Sequence, residues 1–310
     1  VIVSDLSPKG LNERLVGTGL GLHVGPFVVR VRTSIPSIER GIATLYSAFP
    51  VASESEFVDF WLEFSPVRGL RQLVRPQVQF SFDGLRPFVP LPLNHAFPMF
   101  EWAMNWCIAK HVHQYLIIHA AVIERDGMAV IMPGAPGAGK STLCAVLVNR
   151  GWRLLTDELA MIVERDGTLM PIPRPVSLKN ESIEIVRNYA PGAVFGELFL
   201  DTKKGTVAHM KPADDSVRRA KERPHPAWLI MPRYIPGSPA TLRPASKAQF
   251  CLQMANNSFN YNILDEQGFN MLADLVERCD CYDFYYSDLN QAIQVFDNLR
   301  RPDNNASHPE

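Results

Sequence analysis

Apolar and polar positions alternate with a period of two in several short stretches of the first third of the chain. "FVVRVRT" (27–33), "FVDFWLEF" (57–64) and "VQFSFDG" (78–84) carry β-branched and aromatic residues in that rhythm, which predicts half-buried strands. Between the first two, "SIERGIATLYSAF" (37–49) shifts to helical spacing, with Ser37 as the expected cap. Prolines at 87, 90, 92 and 98 then break every pattern and predict a connector, with a domain boundary near residue 94. "NHAFPMFEWAMNWCIAKHVHQ" (94–114) reads as a largely buried helix starting at Asn94, its aromatic stripe assigned to the core. His111 and His113 are two apart, so they leave a helix on different sides and are read as surface residues.

A different order starts at residue 116. "LIIHAAVIERDGMAVIMPG" predicts two strands joined by an Asp-Gly turn. A glycine-rich loop follows, then the helix "KSTLCAVLVNRG", stopped by Gly151. "WRLLTDELAMIVERDGTLMPIP" predicts a strand, a short break, a strand, a turn and another strand. The string "ERDG" thus occurs at 124–127 and at 164–167, read as two similar turns on one sheet rather than a duplication. Farther on, "NESIEIVRNY" (180–189) predicts a helix capped by Asn180, and 190–226 reads as irregular with basic stretches. A strand at 227–235, helices near 246–257 and 265–279, a strand at 281–286 and a last helix capped by Ser287 or Asp288 complete the expectation.

The chain of 310 residues is long enough for two ordinary domains. A net charge of −1, with 20% charged and 46% hydrophobic residues, gives no overall pull toward nucleic acid or an anionic membrane. No apolar run approaches the ~18 residues of a membrane span. "VIVSDLSPKG" does not read as a secretory signal, and five cysteines without a Cys-x-x-Cys pair predict a reduced, cytoplasmic setting. "CDC" (279–281) is read as packing rather than metal binding, and the polar tail 301–310 as flexible.

The chemistry centres on "GAPGAGKST". Gly134, Gly139, Lys140 and Ser141 complete Gly-x4-Gly-Lys-Ser between a predicted strand and a predicted helix. In such a loop Gly134, Ala135, Pro136, Gly137, Ala138 and Gly139 present backbone N–H groups to phosphate oxygens. Lys140 reaches the β- and γ-phosphates, and Ser141, followed by Thr142, opens the helix and offers a hydroxyl to Mg²⁺. ATP and Mg²⁺ are the expected cofactors. Asp157 and Glu158 end an apolar strand only 17 residues after Lys140, room for one helix and one return strand. Two adjacent acids can divide labour, one holding metal with Ser141 and the other accepting a hydroxyl proton. Asp157 is assigned the second task, and both acids are candidate metal ligands. No Asn-Lys-x-Asp element for reading guanine follows the loop, nor a Ser-Gly-Gly signature of transporter ATPases.

His119 in "IIHAAVI", the loop "GAPGAGKST" and the acid pair in "LLTDELAMI" together resemble the HPr serine kinase/phosphorylase family, and more specifically bacterial HPr-kinase-related kinases. The resemblance to HPr kinases proper covers about 116–170. That to the related kinases extends through "PRPVSLKNESI", "GTVAHMKP" and "PRYIPG". Phosphoenolpyruvate carboxykinase is similar in the loop and acid pair only. The resemblance implies an α/β fold with an HPr-kinase/PEP-carboxykinase-like P-loop core at 95–300, beside a β-rich N-terminal domain at 1–94. It implies that His119 lies beneath the site against the phosphates or the acid pair, and that Arg233 approaches the nucleotide phosphates. Lys179, Lys203 and Lys204 are weaker candidates for phosphate contact. HPr kinases carry two aspartates where this chain has Asp157 and Glu158, and their phosphorylase signature is faint here around "PGAVFGE" (191–197).

The expected activity is ATP- and Mg²⁺-dependent phosphorylation of a serine-type hydroxyl on a protein or peptide. The resemblance implies a small peptide-handling partner; charge and hydropathy predict no nucleic acid and no membrane, and a homo-oligomer is left open. A small-molecule kinase for an amino acid or sugar, and a nucleotide-gated regulator without transfer, stand as the alternatives.

Overall fold

In a computed structural model the described residues are 1–69, 74–135 and 137–299. They form two compact units, each assembled from two separate parts of the chain: 1–112 with 172–221, and 113–171 with 222–299. The proline cluster predicted a linear division near 94. The helix that follows those prolines instead packs on the first unit's sheet, and the units exchange the chain at 112/113, 171/172 and 221/222. The tail 301–310 lies outside the described residues.

The first unit holds a five-stranded sheet in the order β1 (Leu20–Val24), β2 (Phe27–Thr33), β3 (Phe60–Pro66), β4 (Gln77–Phe82) and β5 (Leu91–Pro92). β2 and β3 are parallel neighbours, joined by a crossover containing helix α2 (Pro36–Leu45); the other pairs are antiparallel. Alternation decides the faces. Phe60, Leu62 and Phe64 of β3 point into the core, whereas Trp61 and Glu63 point out. The inner face packs on α3 (Ala96–His111), where Phe100 meets Phe64 with ring centroids 5.8 Å apart. α3 buries residues all round, as its near-continuous apolar sequence requires. α1 (Pro8–Val16) was not predicted, because it buries only Leu11 and Leu15. α2 starts at Pro36 rather than under a Ser37 cap, and α3 starts at Ala96 after a 3₁₀ turn at Leu93–His95, not at Asn94. Proline at the first helical position suits the fixed φ of its ring.

The same unit includes a small antiparallel sheet of β11 (Val176–Lys179), β13 (Gly205–Met210) and β12 (Phe199–Thr202), in that order. α5 (Glu181–Tyr189) and the short α6 (Asp214–Arg218) accompany it. The stretch 190–226 is therefore not irregular throughout. Asn180 precedes α5 but does not cap it; its Oδ1 accepts from the Thr206 N–H at 3.0 Å, tying the helix start to β13.

The second unit is built on one large mixed sheet. Its order is β10 (Leu169–Met170), β9 (Leu159–Val163), β6 (Tyr115–Arg125), β7 (Met128–Pro133), β14 (His225–Tyr234), β16 (Asp280–Tyr286) and β15 (Thr241–Pro244), with β8 (Arg153–Thr156) also on β6. β7, β14 and β16 run parallel, so their carboxyl ends lie on one side. β6 and β7 form the expected hairpin, turning at Asp126 and Gly127, both with positive φ. Its turn end is held by a buried Arg153–Glu124 ion pair, while Glu124 also accepts from the Gly127 N–H at 2.6 Å. α4 (Lys140–Val148) packs on β6. α7 (Lys247–Asn256) and α8 (Tyr261–Arg278) close over Ile118, Ile131 and Leu229 on the sheet through Met254, Leu272 and Leu275. α9 (Leu289–Asp297) ends the described chain, its first turn capped by Asp288, which accepts from the Gln291 N–H at 2.8 Å. Cys279 and Cys281 are buried and free. No described helix is long and apolar enough to cross a membrane.

Candidate active site

β7 delivers the chain into the glycine loop, and α4 takes it out. Gly134, Gly137 and Gly139 have φ of +146°, +88° and +87°, which L side chains rarely adopt. Gly139 is also closed in from outside: a Cβ there would lie 2.4 Å from the Tyr286 hydroxyl. Gly139 stands at the N-cap of α4 and brings no side chain to its N–H groups, leaving the helix start open to an anion. Pro136 lies outside the described residues. Ala135 and Gly137 are exposed, and Ala138, Ser141 and Thr142 are half-buried. Lys140 is buried at 7% exposure, and its Nζ donates to the carbonyls of Gly134 at 2.5 Å and Ala135 at 3.1 Å. The lysine thus bridges the mouth of its own loop.

The acid pair reaches the loop through strand register. Ala120 and Ala121 of β6 sit opposite Pro133 and Met132 of β7. On the other edge of β6, Thr156 pairs with Val122 and Leu159 with His119, so Asp157 and Glu158 fill the gap beside the same two alanines. Two strand spacings, about 10 Å, separate the backbone of the acid pair from the start of the loop. Thr156 makes the break between β8 and β9: its hydroxyl accepts from the N–H of Glu158 at 3.3 Å and of Leu159 at 3.0 Å. That bend gives the neighbours different surroundings. Asp157 is buried, at 6% exposure, whereas Glu158 is half-buried and its Oε2 lies 3.3 Å from His119 Nε2. Burial, with the Asp157 charge adding to it, pushes the Cys144 thiol of α4 well up, which places the carboxylate close to the helix that leaves the loop. The His119 ring stands 5.9 Å from Phe259, and its backbone N–H donates to Asn257 at 2.8 Å.

Arg233 is at the carboxyl end of β14, in the unit that carries the loop. Its Nε donates to Asp283 of β16 at 3.0 Å, so its charge is engaged within the sheet. Tyr234 and Tyr286, one residue beyond Arg233 and its ladder partner Tyr285, make an edge-on pair 5.9 Å apart next to Gly139. Sequence reasoning missed Tyr234, Asp283 and Tyr286. The alternation in "CYDFYY" marks a strand but does not say which of its residues reaches a loop more than a hundred positions earlier. Lys179, Lys203 and Lys204 belong to the first unit, where Lys204 lies 5.3 Å over the ring of Trp102.

The donor set fits a small hard cation beside phosphate: one hydroxyl from Ser141 and carboxylate oxygens from Asp157 and Glu158. Mg²⁺ is held by one or two carboxylates together with substrate phosphates, rather than by an all-protein cage. Among the described residues no group of three or more His, Cys, Asp or Glu gathers as a metal site.

The strand, glycine loop, helix and carboxylate pair expected from the sequence thus meet in one sheet, with a single strand between loop and acids. The family described as SynChlorMet cassette protein ScmC matches residues 96–179. HPr kinase/phosphorylase of Clostridium botulinum (strain Eklund 17B) is 38% identical over 53 residues, 17% of each chain. That of Streptococcus thermophilus (strain LMD-9) is 32% identical over 76 residues, 24% of this chain and 25% of the relative. That of Lactobacillus acidophilus is 31% identical over 84 residues, 25% of this chain and 26% of the relative. The matched stretch thus spans about a quarter or less of the length of these relatives. Among solved structures, the HPr(Ser) kinase/phosphatase from Coxiella burnetii aligns over 58% of this chain and 90% of its own, at 14% identity and a TM-score of 0.24. The kinship therefore rests on the shared sequence segment. Over that segment the chain is similar to HPr kinase/phosphorylases.

Proposed function

We propose that the protein is an ATP- and Mg²⁺-dependent kinase that phosphorylates a serine-type hydroxyl on a protein or peptide. The observation that supports this most is the placement of Asp157 and Glu158 beside Ala120 and Ala121, across one strand from the glycine loop. A binder without transfer needs the loop but no buried carboxylate beside it.

Bound ATP supplies the phosphoryl group, and Mg²⁺ offsets charge on its oxygens. Gly134 to Thr142 form the cradle, with loop N–H groups and the start of α4 facing the phosphates. Lys140 exchanges its two loop carbonyls for phosphate oxygens, which keeps its ammonium hydrogen-bonded in both states. Ser141 and Glu158 would hold Mg²⁺, and His119 restrains the Glu158 carboxylate through their 3.3 Å contact. Asp157 orients the acceptor hydroxyl and takes its proton late, because a loose transition state needs little base strength. Arg233 moves from Asp283 to the phosphates as they bind.

Incubation with γ-labelled ATP, Mg²⁺ and native cell extract tests the reading. A labelled polypeptide that disappears with the Lys140→Ala chain supports it. Label only in a small metabolite, or none at all, overturns it.

A further inference from the structure

The first unit carries a polar concavity that the phosphoryl-transfer chemistry does not use. It has a volume of about 990 Å³ and lies at the carboxyl ends of the parallel strands β2 and β3, with Arg32, Thr33, Ser65 and Arg68 on its wall. Arg86, from the segment after β4, completes a set of three arginines. Open sheets bind ligands outside the carboxyl ends of parallel strands, where the crossover leaves a crevice. Here that crossover contains α2, whose N-cap Ile35 offers no capping side chain and follows Ser34 of the wall.

The arginines are exposed and, among the described residues, make no ion pair or hydrogen bond. Their neighbours behave differently. Arg30, two residues before Arg32, donates to the Ser53 carbonyl at 2.9 Å and lies 5.2 Å over Trp61, and Arg40 pairs with Glu197. Arg32 faces Glu63 across the ladder without closing an ion pair. Three guanidinium groups against one carboxylate leave the concavity cationic, and a guanidinium fork matches a carboxylate in two parallel hydrogen bonds.

Two other wall groups are acceptors. Gln79 is 8% exposed and spends its Nε2 on the carbonyls of Phe80 at 2.8 Å and Phe88 at 3.0 Å, which leaves its Oε1 as an acceptor. Glu63 is an acceptor by charge. A free phosphate or a simple polycarboxylate has no N–H for either, and Glu63 would repel it. A peptide has backbone N–H groups for both, and acidic side chains for the arginines. Val16, Phe64 and Val67 add apolar wall for its carbon atoms.

We propose that this concavity binds an acidic peptide segment, with Arg32, Arg68 and Arg86 taking its carboxylates and Glu63 and Gln79 its N–H groups. The binding is independent of phosphoryl transfer. If the proposed kinase reading holds, it makes the acceptor a polypeptide that carries an acidic segment.

The test is fluorescence anisotropy of a labelled octapeptide of alternating Glu, Asp and Gly, without nucleotide, on the full chain. Saturable binding is expected, weakening about tenfold with each of Arg32→Gln, Arg68→Gln and Arg86→Gln, the scale of one lost charge-assisted contact. Lys9→Gln, an equally exposed cation elsewhere, should leave it unchanged, as should replacing the labelled peptide's Gly. The Gln/Asn version of the peptide should not bind. Circular dichroism checks that the variants fold, and these exposed side chains carry no packing. No binding, binding that survives all three substitutions, or displacement of the bound peptide by citrate or inorganic phosphate as readily as by unlabelled peptide would each overturn the proposal. Repeating the titration with Lys140→Ala separates the two readings: lost transfer with retained peptide binding counts against neither, whereas wild-type transfer in that variant sinks the kinase site alone.

Discussion

Gly139→Ala should damage the second unit by an amount that a second substitution can partly undo. Two costs add at this position. The backbone φ of +87° puts an L residue in the left-handed region, at about 1–2 kcal/mol. The new methyl would lie 2.4 Å from the Tyr286 hydroxyl, and Tyr286, 2% exposed and stacked on Phe284 at 5.1 Å, has little room to retreat. Overpacking of that kind costs about 1–3 kcal/mol. The sum is about 2–5 kcal/mol. Removing the hydroxyl separates the terms, because the next atom of the ring, Cζ, is 3.6 Å away, an ordinary contact. Tyr286→Phe alone should cost under about 1 kcal/mol, since its hydroxyl reaches the Gly139 carbonyl only at 3.5 Å. The double variant should therefore recover about 1–3 kcal/mol of the Gly139→Ala loss and keep the backbone strain. Urea unfolding of the four chains, followed by circular dichroism, reads this coupling. A coupling near zero would refute the close approach of Tyr286 to the loop.

Lys140→Ala should abolish transfer of label from ATP while the chain still folds, at a cost of about 1 kcal/mol for the two loop carbonyls it leaves behind, checked by labelling and by a thermal melt. Asp157→Asn should keep ATP binding but lose transfer by about 10²-fold or more, whereas Glu158→Gln should raise the Mg²⁺ requirement and regain rate at high metal. Rates measured against Mg²⁺ concentration decide this, and metal rescue of the aspartate variant alone would reverse the two roles. Burial pushes the Cys281 thiol from 9.0 to about 11 and Cys107 to about 12, so alkylation of the native chain at pH 8 should reach half-buried Cys251 first, as peptide mapping would read. Because the folded chain keeps the Cys281 proton that the unfolded chain releases above about pH 9, the same burial should lower stability as pH rises from about 9 to 11, visible in melts across that range.

The β6–β7 hairpin, the glycine loop, α4 and the broken β8–β9 strand were all legible, because a clear apolar period in each is bounded by turn or glycine signals such as Asp126-Gly127, Gly134, Gly139 and Gly151. The meeting of His119 with Glu158 came from family resemblance, since nothing in the spacing from 119 to 158 orients either side chain. Arg233 fell on the expected strand, but its pairing to Asp283 depends on a parallel neighbour some fifty positions later. β1 and β12 were illegible for local reasons: Gly21 interrupts one, and Asp201, with φ of +55°, bends the other. The composition of the units could not be read at all, because a pattern along the chain does not tell which distant segment returns to close a sheet.

That interleaving has a consequence for synthesis. β7, which leads into the glycine loop, has β6 on one side, available at once, and β14 on the other, which is not made until some hundred residues later. Throughout that interval β7 emerges from the ribosome as an open edge of buried apolar residues, Ala129 to Met132. The first unit cannot close sooner either, since β11, β12 and β13 follow the loop helix. A nascent chain stalled between 134 and 225 therefore exposes one unpaired edge of this apolar strand. A cut placed between 134 and 175 would divide both units, separating the first from β11, β12 and β13 and the second from β14.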